Sequence, residues 1–206
     1  MLWVLLSLFL AQHPTAEQPK TLMFLGDSLT AGYGLLPGQG FPEQLQTMLS
    51  ETGVSVRIVN GGVSGDTTAG GLRRLPWMLS QIRPDALIVA LGANDMLRGL
   101  PIESTEANLR AIISLANEKA VPVFVLGVEA APNLGEDFVQ GFRRIFRRLS
   151  DISGVFVMPN FISSVVGQPE FNLRDGIHPN VKGQRRIAED VLNFLKEHWG
   201  EEWSRD

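Results

Sequence analysis

The chain has 206 residues, 44% of them hydrophobic, which suits one packed domain and is short for two. Its 18 Lys and Arg against 22 Asp and Glu leave a net charge of −4, which argues against a nucleic-acid binder, since these usually carry a basic excess. The chain contains no cysteine and three histidines, so disulfides, thiolate metal sites and thiol nucleophiles are excluded and few side chains can act as a base near neutral pH.

The first eleven residues are apolar apart from Ser7, and no charged side chain occurs before Glu17. An apolar stretch of about ten residues is too short to span a bilayer, which needs roughly 20. Together with the small residues Thr15 and Ala16 that follow, it is typical of a cleavable secretory signal. We therefore expect residues 1–16 to be a signal peptide, residues 17–206 to be one domain, and the protein to be periplasmic or secreted. A buried first strand or a wrongly assigned start codon is the alternative.

Along the chain, short apolar runs alternate with longer amphipathic stretches. The apolar runs predict five strands, at residues 21–25, 54–59, 86–91, 121–128 and 155–158. The amphipathic stretches predict five helices, at residues 42–51, 71–81, 104–119, 136–152 and 181–199. Continuous apolar runs are typical of strands buried on both faces, and a strand followed by a helix five times predicts a parallel α/β sheet covered by helices on both sides. Ligands bind at the carboxyl ends of such strands.

The first strand is followed by the sequence Gly26-Asp27-Ser28-Leu29. Glycine allows a sharp turn that would present Ser28 at the edge of the sheet. The alternative is that Asp27 or Ser28 only caps a following helix. The segment is not the G-x-S-x-G elbow, because Thr30 replaces the last glycine, and no Gly-Lys-Ser/Thr of a phosphate loop follows.

The turns after the second and third strands are also polar and rich in glycine. Small residues at 60–68, around Gly65, allow backbone N–H groups to face a ligand directly. The third turn contains Asn94, whose side-chain amide can donate to a developing oxyanion. Helix capping is the alternative role for both turns.

A fourth motif, Asp175-Gly176-Ile177-His178-Pro179, precedes the last predicted helix. Asp175 and His178 lie three residues apart across a glycine turn, close enough to pair. A carboxylate partner fixes the imidazole tautomer and leaves the other ring nitrogen free to act as a base. His13 falls in the predicted signal peptide and His198 in a polar tail, so His178 is the best placed base. The alternative is that His178 only caps a helix or packs against its neighbours.

Taken in order, these four motifs resemble the four sequence blocks of the SGNH hydrolases, also called the GDSL esterase/lipase family. The resemblance extends over nearly the whole chain after residue 20, and the bacterial arylesterase and acyl-CoA thioesterase I / lysophospholipase L1 group is the most similar. It implies a three-layer, flavodoxin-like sandwich with strand order 2-1-3-4-5. It also implies that the protein is a serine esterase.

The resemblance further implies a role for each matching residue. Ser28 would be the nucleophile, and His178 would be the general base and then the general acid, oriented by Asp175. The backbone N–H groups of Ser28 and Gly65 and the side chain of Asn94 would form the oxyanion hole. Asp27 would be structural.

These motifs define the chemistry more closely than they define the substrate. Residues 34–40 look more like arylesterase-type members, and Met96 stands where the thioesterase type has glycine. We expect esters with aryl or short-to-medium acyl groups, and an acyl pocket formed by apolar loop residues: Met96, Leu97, Leu100, Leu134 and Phe138. A thioesterase or lysophospholipase, an acyltransferase, and a non-catalytic carbohydrate- or lipid-binding module on the same fold remain alternatives.

No metal and no other cofactor is expected, because a catalytic zinc usually needs three protein ligands, often His or Cys. The expected partner is a small ester or lipid-derived molecule. We expect no nucleic acid, no stable membrane span and a monomer.

Overall fold

The computed structural model describes residues 19–199, and a five-stranded sheet forms its centre. All neighbouring strands pair in parallel, in the order β2-β1-β3-β4-β5. The strands are β1 (Lys20–Gly26), β2 (Val56–Gly62), β3 (Ala86–Ala90), β4 (Val123–Leu126) and β5 (Val155–Met158). The predicted α/β class and the strand order implied by the resemblance are confirmed.

Helices cover the sheet in two layers. In chain order they are α1 (Ser28–Ala31), α2 (Phe41–Glu51), α3 (Thr68–Gln81), α4 (Ala93–Leu97), α5 (Ile102–Asn117), α6 (Glu136–Leu149) and α7 (Val181–Trp199). The helix α2 packs against α7, whereas α3, α5 and α6 pack side by side in the order of the chain. Single 3₁₀ turns occur at Pro132–Leu134 and Pro169–Phe171.

The burial of each strand follows its position in the sheet. The three inner strands are buried along their whole length, except at Lys20, as their continuous apolar runs predict. The edge strands β2 and β5 are only partly buried, because an edge strand has a neighbour on one side. The hydrophobic core therefore lies on both faces of β1, β3 and β4.

Several predicted boundaries are wrong by two or three residues. The strand β2 begins at Val56 and continues through residues 60–62, because these residues pair with the end of β1 instead of turning away. The helix α3 begins at Thr68 because Thr67 caps it, accepting a hydrogen bond from the Gly70 N–H. The strand β4 is shorter than expected, since Val121 still belongs to the turn after α5, where its N–H bonds to the Ala116 carbonyl.

The helices α1 and α4 were not expected, because segments of four and five residues are too short to show a helical period. Within residues 19–199, no helix is long and apolar enough to cross a membrane. The predicted signal peptide, residues 1–16, and with it His13, lies outside the described residues.

Phe124 on β4 provides a test of the core. It is fully buried, and the rings of Phe156, Phe194 and Trp199 lie 5.0, 6.0 and 6.1 Å from its ring. Phe124→Ala should lower the free energy of unfolding by about 3–5 kcal/mol, because it leaves a cavity among these rings. Urea denaturation measures the change, and Phe124→Leu should lose less. A loss below about 1 kcal/mol for the alanine variant would contradict this packing.

Candidate active site

Polar groups from three strand ends and one later loop meet at the carboxyl edge of the sheet. Ser28 follows β1, Gly65 follows β2, Asn94 follows β3, and His178 precedes α7. All four line one cavity of about 570 Å³. The structure thus brings together the residues that the sequence singled out.

The turn that carries Ser28 depends on Gly26 and Asp27. A β-carbon at Gly26 would lie 2.0 Å from the hydroxyl oxygen of the buried Thr30, so a larger residue does not fit where the chain folds back over the strand end. The Asp27 carboxylate caps α1 by accepting a hydrogen bond of 3.0 Å from the Leu29 N–H. Capping is therefore done by Asp27, which leaves the Ser28 hydroxyl free for another partner.

Ser28, His178 and Asp175 form a continuous hydrogen-bonded chain. The Ser28 Oγ lies 3.0 Å from the His178 Nε2, and the His178 Nδ1 lies 2.8 Å from the Asp175 Oδ2. With its Nδ1–H donated to the carboxylate, the imidazole offers the lone pair of Nε2 to the Ser28 hydroxyl. This geometry allows His178 to remove the hydroxyl proton.

The second oxygen of Asp175 is held by the backbone of its own turn. Its Oδ1 accepts the N–H groups of Ile177 and His178 at 2.9 and 3.0 Å. The backbone N–H of His178, then that of Ile177, and then the imidazole hydrogen bond lower the pKa of Asp175 to about 2. Asp175 is therefore ionised at neutral pH, and its carboxylate accepts the hydrogen bond that orients the imidazole ring.

A second carboxylate, Asp27, lies beneath the site and is 1% exposed. Burial raises its pKa to about 6, although the Leu29 N–H and the Asn94 amide oppose that rise. Its Oδ2 accepts from the Asn94 Nδ2 at 3.4 Å, and its charge attracts a protonated His178. Asp27 thus orients the Asn94 side chain while it caps α1.

Three N–H donors face the cavity beside Ser28. Within residues 19–199, the backbone N–H groups of Ser28 and Gly65 donate to no protein acceptor, and Asn94 supplies a side-chain amide. Gly65 has a φ of +80° in a turn closed by a 3.0 Å hydrogen bond from the Asp66 N–H to the Val63 carbonyl. That backbone conformation is accessible to glycine and strained for other residues, which explains the residue type.

A buried carboxylate holds the loops after β2 and β3 together. Asp95 is 2% exposed and accepts hydrogen bonds from the backbone N–H and the hydroxyl of Thr68, at 2.9 and 2.5 Å. Asn108 in turn donates to the Thr68 hydroxyl at 3.0 Å. The start of α3 and the helix α4 therefore hold a fixed relative position.

The cavity brings together only some of the residues expected to form an acyl pocket. Met96 and Leu97 line the cavity, whereas Leu100, Leu134 and Phe138 do not. Phe138 instead stacks on the buried Phe142, at 5.9 Å between ring centres. The N–H of Leu100 donates to the Asp95 carbonyl, and Leu134 lies on a partly exposed 3₁₀ turn.

The sequence reasoning missed most of the apolar lining. The missed residues come from the loop after α1, from the loops after β4 and β5 and from the loop before α7, and include Tyr33, Val128, Ala130, Ile162, Val166 and Ile177. The ring of Tyr33 lies 4.5 Å from the His178 ring. The rule that ligands bind at strand ends, applied to β4 and β5 as well, would have found two of these loops.

Among residues 19–199, no group of three or more His, Asp or Glu side chains is placed to hold a metal ion.

Comparisons with known proteins agree on one family. Residues 24–186 match the GDSL-like Lipase/Acylhydrolase family. The chain is 38% identical to an arylesterase of Vibrio mimicus over 94% of this chain and 96% of that protein. It is 34% identical to the thioesterase 1/protease 1/lysophospholipase L1 of Escherichia coli K12, over 88% of this chain and 86% of that one. The crystal structure of the esterase EstA from Pseudoalteromonas sp., inhibited by monoethylphosphonate, superposes with a TM-score of 0.83 at 30% identity, over 86% of this chain and 97% of EstA.

The low pKa of Asp175 gives a test in acid. A carboxyl whose pKa is lowered from 3.8 to about 2 stabilises the fold above pH 3.8, and this contribution disappears as the pH falls through about 2. The wild type and Asp175→Asn differ in their free energy of unfolding. This difference should therefore decrease as the pH is lowered from about 5 to about 2. Urea denaturation at fixed pH values measures it, and a constant difference would contradict the hydrogen bonding described for Asp175.

Proposed function

The chain belongs to the GDSL-like Lipase/Acylhydrolase family and is a carboxylic ester hydrolase, and on this premise we propose that it cleaves esters through a Ser28–His178–Asp175 triad. The observation that carries the proposal is the hydrogen-bonded chain of these three side chains at the wall of an apolar cavity. A Ser–His–Asp chain is the constellation that activates a serine for acyl transfer.

The proposed reaction proceeds through an acyl-enzyme. The Ser28 Oγ attacks the ester carbonyl carbon while the His178 Nε2 takes the hydroxyl proton. The C–O bond to the alcohol then breaks, and the alcohol leaves with the proton from His178. Water, deprotonated by the same nitrogen, hydrolyses the acyl-enzyme and restores Ser28.

The oxyanion of the tetrahedral intermediate needs donors that are already in place. We assign this role to the N–H groups of Ser28 and Gly65 and to the amide of Asn94. Their support is that the two backbone groups have no protein acceptor among the described residues and that all three groups line the same cavity as the nucleophile. The position of Asn94 is maintained by Asp27.

The lining of the cavity supports an uncharged, apolar acyl or aryl group as the substrate. Among the described residues, Glu129 is the one acidic side chain that lines it, and no Lys or Arg does. A cavity of about 570 Å³ accommodates an aryl or short-to-medium acyl group. This favours arylesterase activity, the activity named for the Vibrio mimicus relative. Thioester or lysophospholipid hydrolysis is the second candidate, since the Escherichia coli relative carries those names.

Two further proposals rest on the sequence alone. The apolar segment of residues 1–11 supports removal of a signal peptide and export to the periplasm or medium. The length supports a single hydrolase domain over residues 17–206, for which we also propose a monomeric state.

Covalent labelling tests the nucleophile. A fluorophosphonate probe should react at Ser28, and Ser28→Ala should lose both the label and nearly all hydrolysis of p-nitrophenyl acetate. Mass spectrometry of the labelled peptide identifies the modified residue. Ser64→Ala, which alters the other serine lining the cavity, should keep the label. Labelling of any other residue would refute the assignment.

Replacement of Asn94 tests the oxyanion hole. Removal of one donor typically lowers kcat by about 10²–10³. Asn94→Ala should therefore show this loss on p-nitrophenyl acetate with a nearly unchanged KM, because the donor acts mainly in the transition state. Circular dichroism checks that the fold is kept. A kcat close to that of the wild type would remove Asn94 from the proposed hole.

A further inference from the structure

An exposed arginine contacts both loops that carry the proposed oxyanion donors. Arg98 lies at the C-terminal end of α4, and its guanidinium donates a hydrogen bond of 2.7 Å to the Gly65 carbonyl oxygen. Arg98 is exposed and does not line the cavity, so this contact is not a contact with the substrate. We propose that Arg98 is a positioning residue, which acts through Gly65 to hold the oxyanion hole in shape. The inference rests on the proposed function.

The geometry of the turn explains why the Gly65 carbonyl needs a partner. This carbonyl and the Asp66 N–H belong to the same peptide unit, and that N–H bonds to the Val63 carbonyl at 3.0 Å. The turn thus fixes the N–H end of this peptide unit, and Arg98 fixes its carbonyl end. Glycine has more backbone freedom than any other residue, so a single restraint leaves the neighbouring Gly65 N–H free to reorient.

The same contact connects the two donors to each other. The helix α4 carries Asn94 in its first turn, and the Arg98 N–H bonds to the Asn94 carbonyl at 3.2 Å. Arg98 thus links the amide donor of one loop to the backbone donor of the other. The buried Asp95–Thr68 contact fixes α4 to the start of α3, but it meets the chain three residues beyond Gly65. Arg98 supplies a restraint at Gly65, the residue that carries the backbone donor.

A donor acts on an oxyanion only if its direction is set before the reaction, because reorientation during the reaction costs free energy. Loss of Arg98 leaves the Gly65 N–H present but less well directed. The effect should be smaller than the 10²–10³ loss expected when a donor is removed, and we expect about a tenfold lower kcat. The KM should change by less than about twofold, since the ground-state carbonyl does not yet occupy the oxyanion position.

The experiment compares Arg98→Ala, Arg98→Lys and Arg110→Ala. Arg110 is a matched control, since it is an arginine on α5 that pairs with Glu106 and does not line the cavity. The readouts are kcat and KM on p-nitrophenyl acetate, the inhibition constant of an alkylboronic acid, and the melting temperature. The boronic acid forms a tetrahedral adduct with a serine and so reports on the oxyanion hole in the absence of turnover.

Arg98→Ala should lower kcat and weaken boronic acid inhibition by similar factors, with an unchanged melting temperature. Arg98→Lys should recover part of both, because an ammonium group also donates to a carbonyl. Arg110→Ala should match the wild type in all readouts. A raised KM with unchanged kcat would overturn the inference, since it would indicate direct substrate binding. A lowered melting temperature without a change in boronic acid inhibition would overturn it in favour of a structural role.

Ser28→Ala, measured beside these variants, separates the inference from the proposed function. If Ser28→Ala keeps its activity, the proposed function fails and the inference fails with it. If Ser28→Ala is inactive while Arg98→Ala equals the wild type in kcat and boronic acid inhibition, only the inference fails.

Discussion

Parallel pairing of β1 between β2 and β3 is the constraint on which the site depends. Gly26 at the end of β1 lies opposite Gly62 on one side and Ala90 on the other, so the three strands end at the same level of the sheet. The proposed nucleophile and the two loop donors follow these ends by two to four residues. A register shift of one residue would move a donor by about 3.3 Å and turn its strand over, so the site tolerates no such shift.

Three carboxylates surround the site, and their environments give them different properties. Asp27 is buried with few donors, so desolvation raises its pKa. Asp175 is near solvent and accepts three hydrogen bonds, so its pKa is lowered to about 2 and it is ionised at neutral pH. Asp95 is buried and fully engaged with Thr68 and Thr105. The proposed chemistry uses the charge of Asp175, while Asp27 and Asp95 hold the loops in place.

Four large apolar side chains that line the cavity are exposed to water. Tyr33, Leu97, Val166 and Ile177 each line it and are each about half exposed, although they come from α4 and from three different loops. Such an opening is suited to the apolar part of a small substrate, because the side chains that it would cover are already exposed to water. Among the described residues, Glu129 is the one Asp, Glu, Lys or Arg side chain that lines the cavity. In the proposed function, shape and hydrophobicity therefore select the substrate, and the polar groups carry out the chemistry.

The sequence alone determined the elements whose origin is local. Continuous apolar runs indicated the buried strands, and the spacing of three residues between Asp175 and His178 indicated a pair, because one turn of chain brings them together. The nucleophile and base, 150 residues apart, were assigned through the resemblance of the motifs, and only the sheet topology brings them to 3.0 Å. The lining of the cavity and the contact between Arg98 and Gly65 were decided by tertiary structure alone. The direction of a loop side chain depends on what packs behind it: Phe138 turns towards Phe142, and no pattern along the chain records that partner.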